Sequence, residues 1–166
     1  MTVLQEGNIQ ITFPENSNPR KFDDNHHRLS HCMKAVDFIP ELDDRYIFIE
    51  IKDPQHPKAD SKNVFEFIEK LKSHNILNDL KTKYRDSFLY EFGLGRANKD
   101  NYYYVLIALD SLTPNLLRHQ SEELQKRIPI KGLKGISWSK PFVKDCAIFN
   151  IETWNHYLSQ FPINRI

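Results

Sequence analysis

The chain has 166 residues, of which 40% are hydrophobic and 27% are charged, so it is long enough for one compact domain and is not intrinsically disordered. Lys and Arg (23) almost balance Asp and Glu (22), giving a formal net charge of +1. This balance excludes a global field that would attract nucleic acid or a membrane surface, so any such site depends on local charge.

The first part of the chain predicts a strand, a polar loop and a β-hairpin. Residues 7–13 alternate apolar and polar positions, which is the period of a half-buried strand. Residues 14–32 are polar with two prolines and predict a loop, with a short helix around 24–32. Residues 33–40 and 46–52 are rich in β-branched and aromatic side chains, and the polar residues 42–45 between them favour a turn. We therefore expect the two runs to form a hairpin.

Two helices are predicted next. Apolar residues at helical spacing predict one helix over 62–73 and a longer one over 76–92. The longer helix has apolar residues four positions apart, which predict one buried stripe: Ile76, Leu80, Tyr84, Phe88 and Phe92.

The remainder of the chain predicts two more strands and two more helices. The continuous apolar run 102–109 is typical of a strand in the middle of a sheet, covered on both faces. Thr113 and Pro114 predict the start of a helix, followed by a strand over 147–151 and a helix over 153–161. This order of elements predicts a single α/β domain over residues 1–166, with a mixed central β-sheet and flanking helices.

The cellular compartment is predicted from sequence features that are absent, namely a disulfide framework, a signal peptide and a membrane span. Cys32 and Cys146 are too few for a disulfide framework or a four-cysteine zinc site, which favours reduced thiols. The first residues have neither the basic nor the apolar region of a signal peptide, and no apolar run approaches the ~18 residues of a membrane span. We expect a cytoplasmic protein without membrane contact.

Charged residues interrupt the apolar hairpin. Side chains alternate along a strand, so Glu50 and Lys52 project from the same face of the run 46–52. If residues 42–45 form the loop, Asp37 lies opposite Glu50 with Cβ atoms about 5 Å apart. Two such carboxylates repel each other and are costly to desolvate, and Lys52 balances only one of them. Because Mg²⁺ binds carboxylate oxygens together with phosphates, the pattern predicts a metal site suited to phosphate chemistry.

These residues resemble the PD-(D/E)xK nuclease superfamily, which has the restriction-endonuclease-like fold. The resemblance consists of Asp37, twelve intervening residues and Glu50-Ile51-Lys52 at the end of the second hairpin strand. The helix over 76–92 and the strand over 102–109 fit the core order of that family, so the resemblance covers residues 9–111. Val36 stands where the family has its name-giving proline.

The resemblance implies a role for each matching residue. Asp37 and Glu50 would be ligands of a catalytic Mg²⁺ or Mn²⁺, with the carbonyl oxygen of Ile51 as a further ligand. Lys52 would position or activate the attacking water. Many members of the family supply another acid, and the candidates here are Glu15, Asp23 and Asp24.

The implied activity is metal-dependent hydrolysis of phosphodiester bonds, most often in DNA, in defence, restriction or DNA processing. Cutting a duplex would favour a homodimer or a partner protein of a defence system, since one such site breaks one strand. An alternative is a non-catalytic domain of the same fold that binds nucleic acid or protein. A purely structural alternative has Glu50 and Lys52 as a salt bridge at the strand end and Asp37 as a solvated edge residue.

A basic segment near residue 130 is the best candidate for contact with a phosphate backbone. Its alternative is a solvated loop between a helix and a strand. The segment has six basic residues and no acidic one: Lys126, Arg127, Lys131, Lys134, Lys140 and Lys144.

Two further groups of polar residues have ordinary interpretations. His26, His27, His31 and Cys32 are close in sequence but lack a second pair of zinc ligands, and we interpret them as polar loop or DNA-facing residues. Lys81 and Arg85 flank the stripe of the long helix, and we expect them to be solvated.

Overall fold

Eight strands and four α-helices follow one another in the residues that the computed structural model describes, which are 1–24, 28–128, 130 and 139–166. The strands are β1 (Thr2–Glu6), β2 (Ile9–Phe13), β3 (Pro19–Lys21), β4 (Phe38–Pro40), β5 (Arg45–Lys52), β6 (Asp100–Ile107), β7 (Asp145–Phe149) and β8 (Ile163–Arg165). The helices are α1 (Ser61–Lys72), α2 (Asn75–Gly93), α3 (Pro114–Gln125) and α4 (Ile151–Tyr157).

The strands form two sheets. The larger sheet has the order β3-β4-β5-β6-β7, and the smaller one has the order β1-β2-β8. In the larger sheet β3, β4 and β5 are antiparallel neighbours, whereas β6 and β7 run parallel to β5. A single α/β domain with a mixed sheet and flanking helices is therefore confirmed.

Strand β5 lies in the middle of the larger sheet and is buried on both faces. Tyr46 and Phe48 belong to the core that the sheet forms with α1, α2 and α3. Ile47, Ile49 and Ile51 belong to a second core, formed with β2, α4 and β8. This is the predicted alternation of side chains, and it directs Glu50 towards the helices of the first core. The predicted middle strand β6 is an interior strand, next to the middle one.

Helix α2 starts and ends within one residue of the prediction, but its buried face differs. Phe92 is 64% exposed, because a repeat of four residues turns by about 40° per step away from a fixed face of a helix with 3.6 residues per turn. Ser87 and Glu91 can be buried since both make hydrogen bonds, Glu91 with two arginines. The buried positions are Leu77, Leu80, Tyr84, Ser87 and Glu91.

The predicted strand over 33–40 is wrong over most of its length, since only Phe38–Pro40 is a strand. The backbone N–H of Lys34 donates to Asp86 Oδ2 at 3.0 Å, and that of Val36 donates to Ser87 Oγ at 3.0 Å. These amides are therefore satisfied by side chains of α2 instead of by a neighbouring strand.

Other boundaries differ for local reasons. Residues 28–32 contain a turn and no helix, and 25–27 lie outside the described residues. Asn150 caps α4 through a reciprocal capping box with Thr153, so β7 ends earlier and the last helix starts earlier than predicted. Thr113 caps α3 and Pro114 is its first residue, as predicted.

Of the helices that the structure describes, none is both long and apolar enough to cross a membrane.

Candidate metal centre

The hairpin of β4 and β5 brings Asp37 beside the second strand. Its register is the predicted one, with Glu41 paired to Tyr46. Asp37 lies one residue before β4, and its N–H donates to the carbonyl oxygen of Ile49 at 3.0 Å. Its Oδ2 accepts a hydrogen bond from the N–H of Ile51 at 2.5 Å. The Asp37 carboxylate thus takes the place of a backbone carbonyl as the acceptor at the end of the hydrogen bonds between the two strands. This hydrogen bond fixes the carboxylate against β5.

The two predicted acids of the hairpin are both buried. Asp37 is 4% exposed and Glu50 is 0% exposed. Burial, and then the neighbouring charge of Glu50, raise the pKa of Asp37 to about 8. Burial also raises the pKa of Glu50, although Lys52 and Lys83 oppose the change. The conflict between two desolvated carboxyl groups is therefore present in the structure, as the hairpin pattern predicts.

Glu50 is contacted by two lysines from different elements. Its Oε1 lies 3.0 Å from Nζ of Lys52 and 2.6 Å from Nζ of Lys83, which is on α2. Lys52 also lies 3.5 Å from Asp79 Oδ2, and Lys34 forms an ion pair with the same aspartate. The Glu50–Lys52 salt bridge of the structural alternative is thus present.

Asp37 also belongs to a second group of acids. Glu6 at the end of β1, Asp23 after β3 and Asp37 each present one carboxylate oxygen, and these oxygens lie within 4.8 Å of one another. Lys21 Nζ is 2.8 Å from Glu6 Oε2 and 3.9 Å from Asp23 Oδ1. Burial and the charge of Glu6 raise the pKa of Asp23. Asp37 is therefore a buried carboxylate next to other acids, not the solvated edge residue of the structural alternative.

The group of Glu6, Asp23 and Asp37 fits a hard divalent cation, and Glu50 is not part of that group. Among the described residues, the buried carboxylate oxygens Glu50 Oε2 and Asp23 Oδ1 have no hydrogen-bond partner, which costs free energy that a cation ligand would recover. All the donor atoms are oxygens, the type that Mg²⁺ and Mn²⁺ prefer. Among the described residues, these ion pairs and the acid group connect five acids and four lysines, a formal charge of −1: Glu6, Asp23, Asp37, Glu50 and Asp79 against Lys21, Lys34, Lys52 and Lys83.

The candidates for the additional acid have separate positions. Asp23 is in the acid group, whereas Asp24 is not. Glu15 is exposed and pairs with the N-terminal amine at 3.2 Å. The N–H of Ile51 contacts Asp37, while a ligand role for the Ile51 carbonyl stays a prediction.

The described end of the predicted basic segment, at Lys144, lies away from the acids. Lys144 pairs with Asp100 at 2.5 Å, at the amino-terminal ends of β6 and β7, whereas Glu50 and Lys52 lie at the carboxyl end of the parallel strand β5. The structure therefore does not bring this part of the segment to the acids, and contact of the segment with nucleic acid stays a prediction.

The other basic residues of the segment have local partners or are not described. Lys126 and Arg127 lie 2.5 Å and 3.1 Å from carboxylate oxygens of Glu123. Lys140 donates to the carbonyl oxygen of Lys99. Lys131 and Lys134 lie outside the described residues.

Sequence reasoning missed Lys83, Asp79 and Glu6. Asp79 and Lys83 are four residues apart on α2 and therefore share a face of the helix, a signal that was available. Glu6 gave no signal because β1 was not predicted.

Both cysteines are free, with Cys32 exposed and Cys146 buried. His26 and His27 lie outside the described residues, and His31 is exposed.

Comparison of the chain with protein-family models, with curated proteins and with solved structures finds no match in any of the three.

Proposed function

We propose that the chain is a metal-dependent nuclease that hydrolyses phosphodiester bonds, with DNA as the favoured substrate. One observation carries the proposal: a buried hairpin brings Asp37 beside Glu50 and Lys52 at the end of β5. Isolated acids in an apolar sheet would be destabilising, so their presence together favours a ligand-binding role over a structural one.

The order of elements around the hairpin also supports the proposal. Strand β5 is followed by α1 and α2 and then by β6, which runs parallel to β5. This is the order on which the resemblance to the PD-(D/E)xK superfamily rests, and the restriction-endonuclease-like fold is part of the proposal.

The residues have two proposed roles, because the acids would bind the metal and Lys52 would contact water or substrate. Asp37 and Glu50 would hold Mg²⁺ or Mn²⁺, with Asp23 as the additional acid. A divalent cation bound there supplies polarisation of the phosphate and a lower pKa of bound water. The hydrogen bond from Ile51 holds the Asp37 carboxylate in place. The side chain of Lys52 is partly exposed, at 26%, and in the proposed site its ammonium group would orient the attacking water or donate to a phosphoryl oxygen.

One observation favours the non-catalytic alternative. Lys52 and Lys83 already compensate the charge of Glu50 without any other cation. A domain that binds nucleic acid or protein could retain such a network for stability alone, and the experiment must therefore separate the two.

The test is a cleavage assay on supercoiled plasmid, linear duplex, single-stranded DNA and RNA, with Mg²⁺, Mn²⁺ or EDTA. Wild type is compared with Glu50→Gln and Lys52→Met, which remove charge with little change in volume. Asp43→Asn, in the exposed turn of the same hairpin, is the matched control. We expect metal-dependent cleavage that falls at least ~100-fold in the two site variants and is unchanged in the control. Equal rates in all four proteins, or no cleavage by wild type, would contradict the proposal.

A further inference from the structure

Lys83 contacts the same carboxylate oxygen of Glu50 as Lys52 does, but from helix α2 instead of from strand β5. Lys52 ends β5, whereas Lys83 lies in the middle of the 19-residue helix α2. The Nζ atoms of the two lysines are 3.0 Å and 2.6 Å from Glu50 Oε1. The two ammonium groups therefore share Glu50 Oε1 as an acceptor.

The two lysines are partly exposed, whereas the acid between them is buried. The side chains of Lys52 and Lys83 are 26% and 19% exposed, and that of Glu50 is 0% exposed. Part of each lysine side chain therefore reaches solvent, and no part of the Glu50 side chain does.

The backbone of Lys83 is held rigidly. Its neighbours on α2, Leu80 and Tyr84, are 0% and 2% exposed and belong to the main core. Tyr84 packs edge-on against Phe48 of β5 at 5.1 Å between ring centroids. The position of Lys83 relative to β5 is therefore fixed by core packing, as a substrate-binding group requires.

Two ammonium groups on one carboxylate oxygen leave room for a second anion. Like charges at this distance repel each other unless acceptors surround them, and a phosphate group offers several strong acceptor oxygens. Lys52 also lies 3.5 Å from a second acid, Asp79, whereas the ion pair that Lys83 makes among the described residues is with Glu50. We therefore assign the new acceptor to Lys83.

We propose that Lys52 and Lys83 form a phosphate-binding subsite, in which Lys83 contacts a non-bridging oxygen of a phosphodiester. The proposal rests on the proposed nuclease function and assigns to α2 a residue that touches the substrate. Free inorganic phosphate has the same chemistry, so it is a separate arm of the test.

The first measurement is the rate of lysine acetylation in the wild-type protein, followed by peptide mass spectrometry. Ca²⁺ replaces Mg²⁺ so that a short duplex DNA can bind without cleavage. We expect the duplex to slow acetylation of Lys52 and Lys83 at least ~3-fold and to leave Lys81, on the same helix, unchanged. Inorganic phosphate at millimolar concentration should protect the same two lysines more weakly. A bound duplex that leaves Lys83 unprotected would overturn the proposal.

The second measurement is the affinity for the same duplex by fluorescence anisotropy in Ca²⁺. We expect Lys83→Met to weaken binding about tenfold, as the loss of a charged hydrogen bond does, with Lys83→Arg retaining most of the affinity. Lys81→Met, the matched control, should bind like wild type. Equal affinity of Lys83→Met and wild type would overturn the proposal, as would the absence of any binding. If Lys83→Met does not fold, the duplex affinity of Lys83→Arg and the acetylation rates of the wild-type protein test the proposal instead.

The outcomes separate this proposal from the proposed function. A wild type that binds duplex with Lys83 protected, but cuts no substrate in Mg²⁺, would support the subsite and contradict the nuclease. A wild type that cuts, and a Lys83→Met variant that binds and cuts equally well, would support the nuclease and overturn the subsite.

Discussion

Asp37 Oδ2 accepts the backbone N–H of Ile51 at 2.5 Å. This hydrogen bond joins an acid that precedes β4 to the residue between Glu50 and Lys52 on β5. The three charged side chains are therefore held together by the backbone of the hairpin itself, before any ligand is considered. A bound cation would therefore change the ionisation of these side chains and not their position.

Replacement of Asp37 by asparagine should stabilise the protein at alkaline pH. The unfolded carboxyl group ionises near its usual pKa of 3.8, whereas the folded one has a pKa of about 8. Between these values the folded state retains a proton that the unfolded state has lost, so the contribution of Asp37 to the free energy of unfolding falls as pH rises. The side-chain amide oxygen of the variant can still accept the N–H of Ile51.

The measurement is urea denaturation of wild type and Asp37→Asn at pH 5 and pH 8.5. We expect the stability difference in favour of the variant to be larger at pH 8.5 by roughly 4 kcal/mol, because the folded carboxyl group keeps its proton over about three pH units of this range. Addition of Mn²⁺ at pH 8.5 should stabilise wild type more than the variant. A difference that is the same at both pH values would show that the carboxyl group of Asp37 ionises normally in the folded protein.

Glu91 should contribute to stability but not to the proposed site. Its buried carboxylate is held by Arg20 at 2.7 Å and by Arg96 at 2.8 Å. Glu91→Gln leaves the two guanidinium groups without their shared anion, so we expect a loss on the order of 3 kcal/mol in the free energy of unfolding. Glu122→Gln breaks the exposed pair with Arg118 and should cost less than about 0.5 kcal/mol.

Chemical denaturation of both variants gives these values, and Mn²⁺ affinity provides the functional readout. A large loss of Mn²⁺ affinity in a folded Glu91→Gln protein would mean that this cluster also supports the metal site, contrary to our interpretation.

Much of the hairpin could be predicted from sequence because its determinants are local. The alternation of side chains decides which face Glu50 and Lys52 share, and the length of the turn decides the register that pairs Glu41 with Tyr46. Both rules depend on neighbouring residues only. The strand 33–37 was predicted wrongly for the opposite reason, since its amides bond to side chains about fifty residues later in the chain.

The rest of the candidate site depends on tertiary packing. Glu6 reaches Asp37 only because β1 of the smaller sheet lies beside the end of the hairpin, and β1 was not predicted. The contact of Lys83 with Glu50 depends on how α2 is rotated over the sheet. The strict four-residue repeat suggested a different rotation, with Phe92 buried, because hydrophobic spacing does not show that Ser87 and Glu91 find polar partners in the core.

The acids outside the hairpin should contribute to cation affinity. Glu6→Gln and Asp23→Asn each remove one negative charge from the group around Asp37, and we expect each to weaken Mn²⁺ binding by about tenfold. Glu15→Gln removes the same charge from an exposed acid outside this group and should leave affinity unchanged. The shift of the melting temperature with Mn²⁺ concentration measures all three. If Glu15→Gln weakens binding as much as the other two, the effect would be one of net charge alone.

Direct titration with Mn²⁺, followed by electron paramagnetic resonance of the free ion, tests the central claim most directly. Wild type, Asp37→Asn, Glu50→Gln and the control Asp43→Asn are titrated at pH 8.5, which lies above the pKa of about 8 that burial gives the Asp37 carboxyl group. We predict saturable binding by wild type and by the control, and a loss of at least ~10-fold in affinity in the two site variants. Wild type that binds no Mn²⁺ at millimolar concentration, or variants that bind as tightly as wild type, would contradict the account.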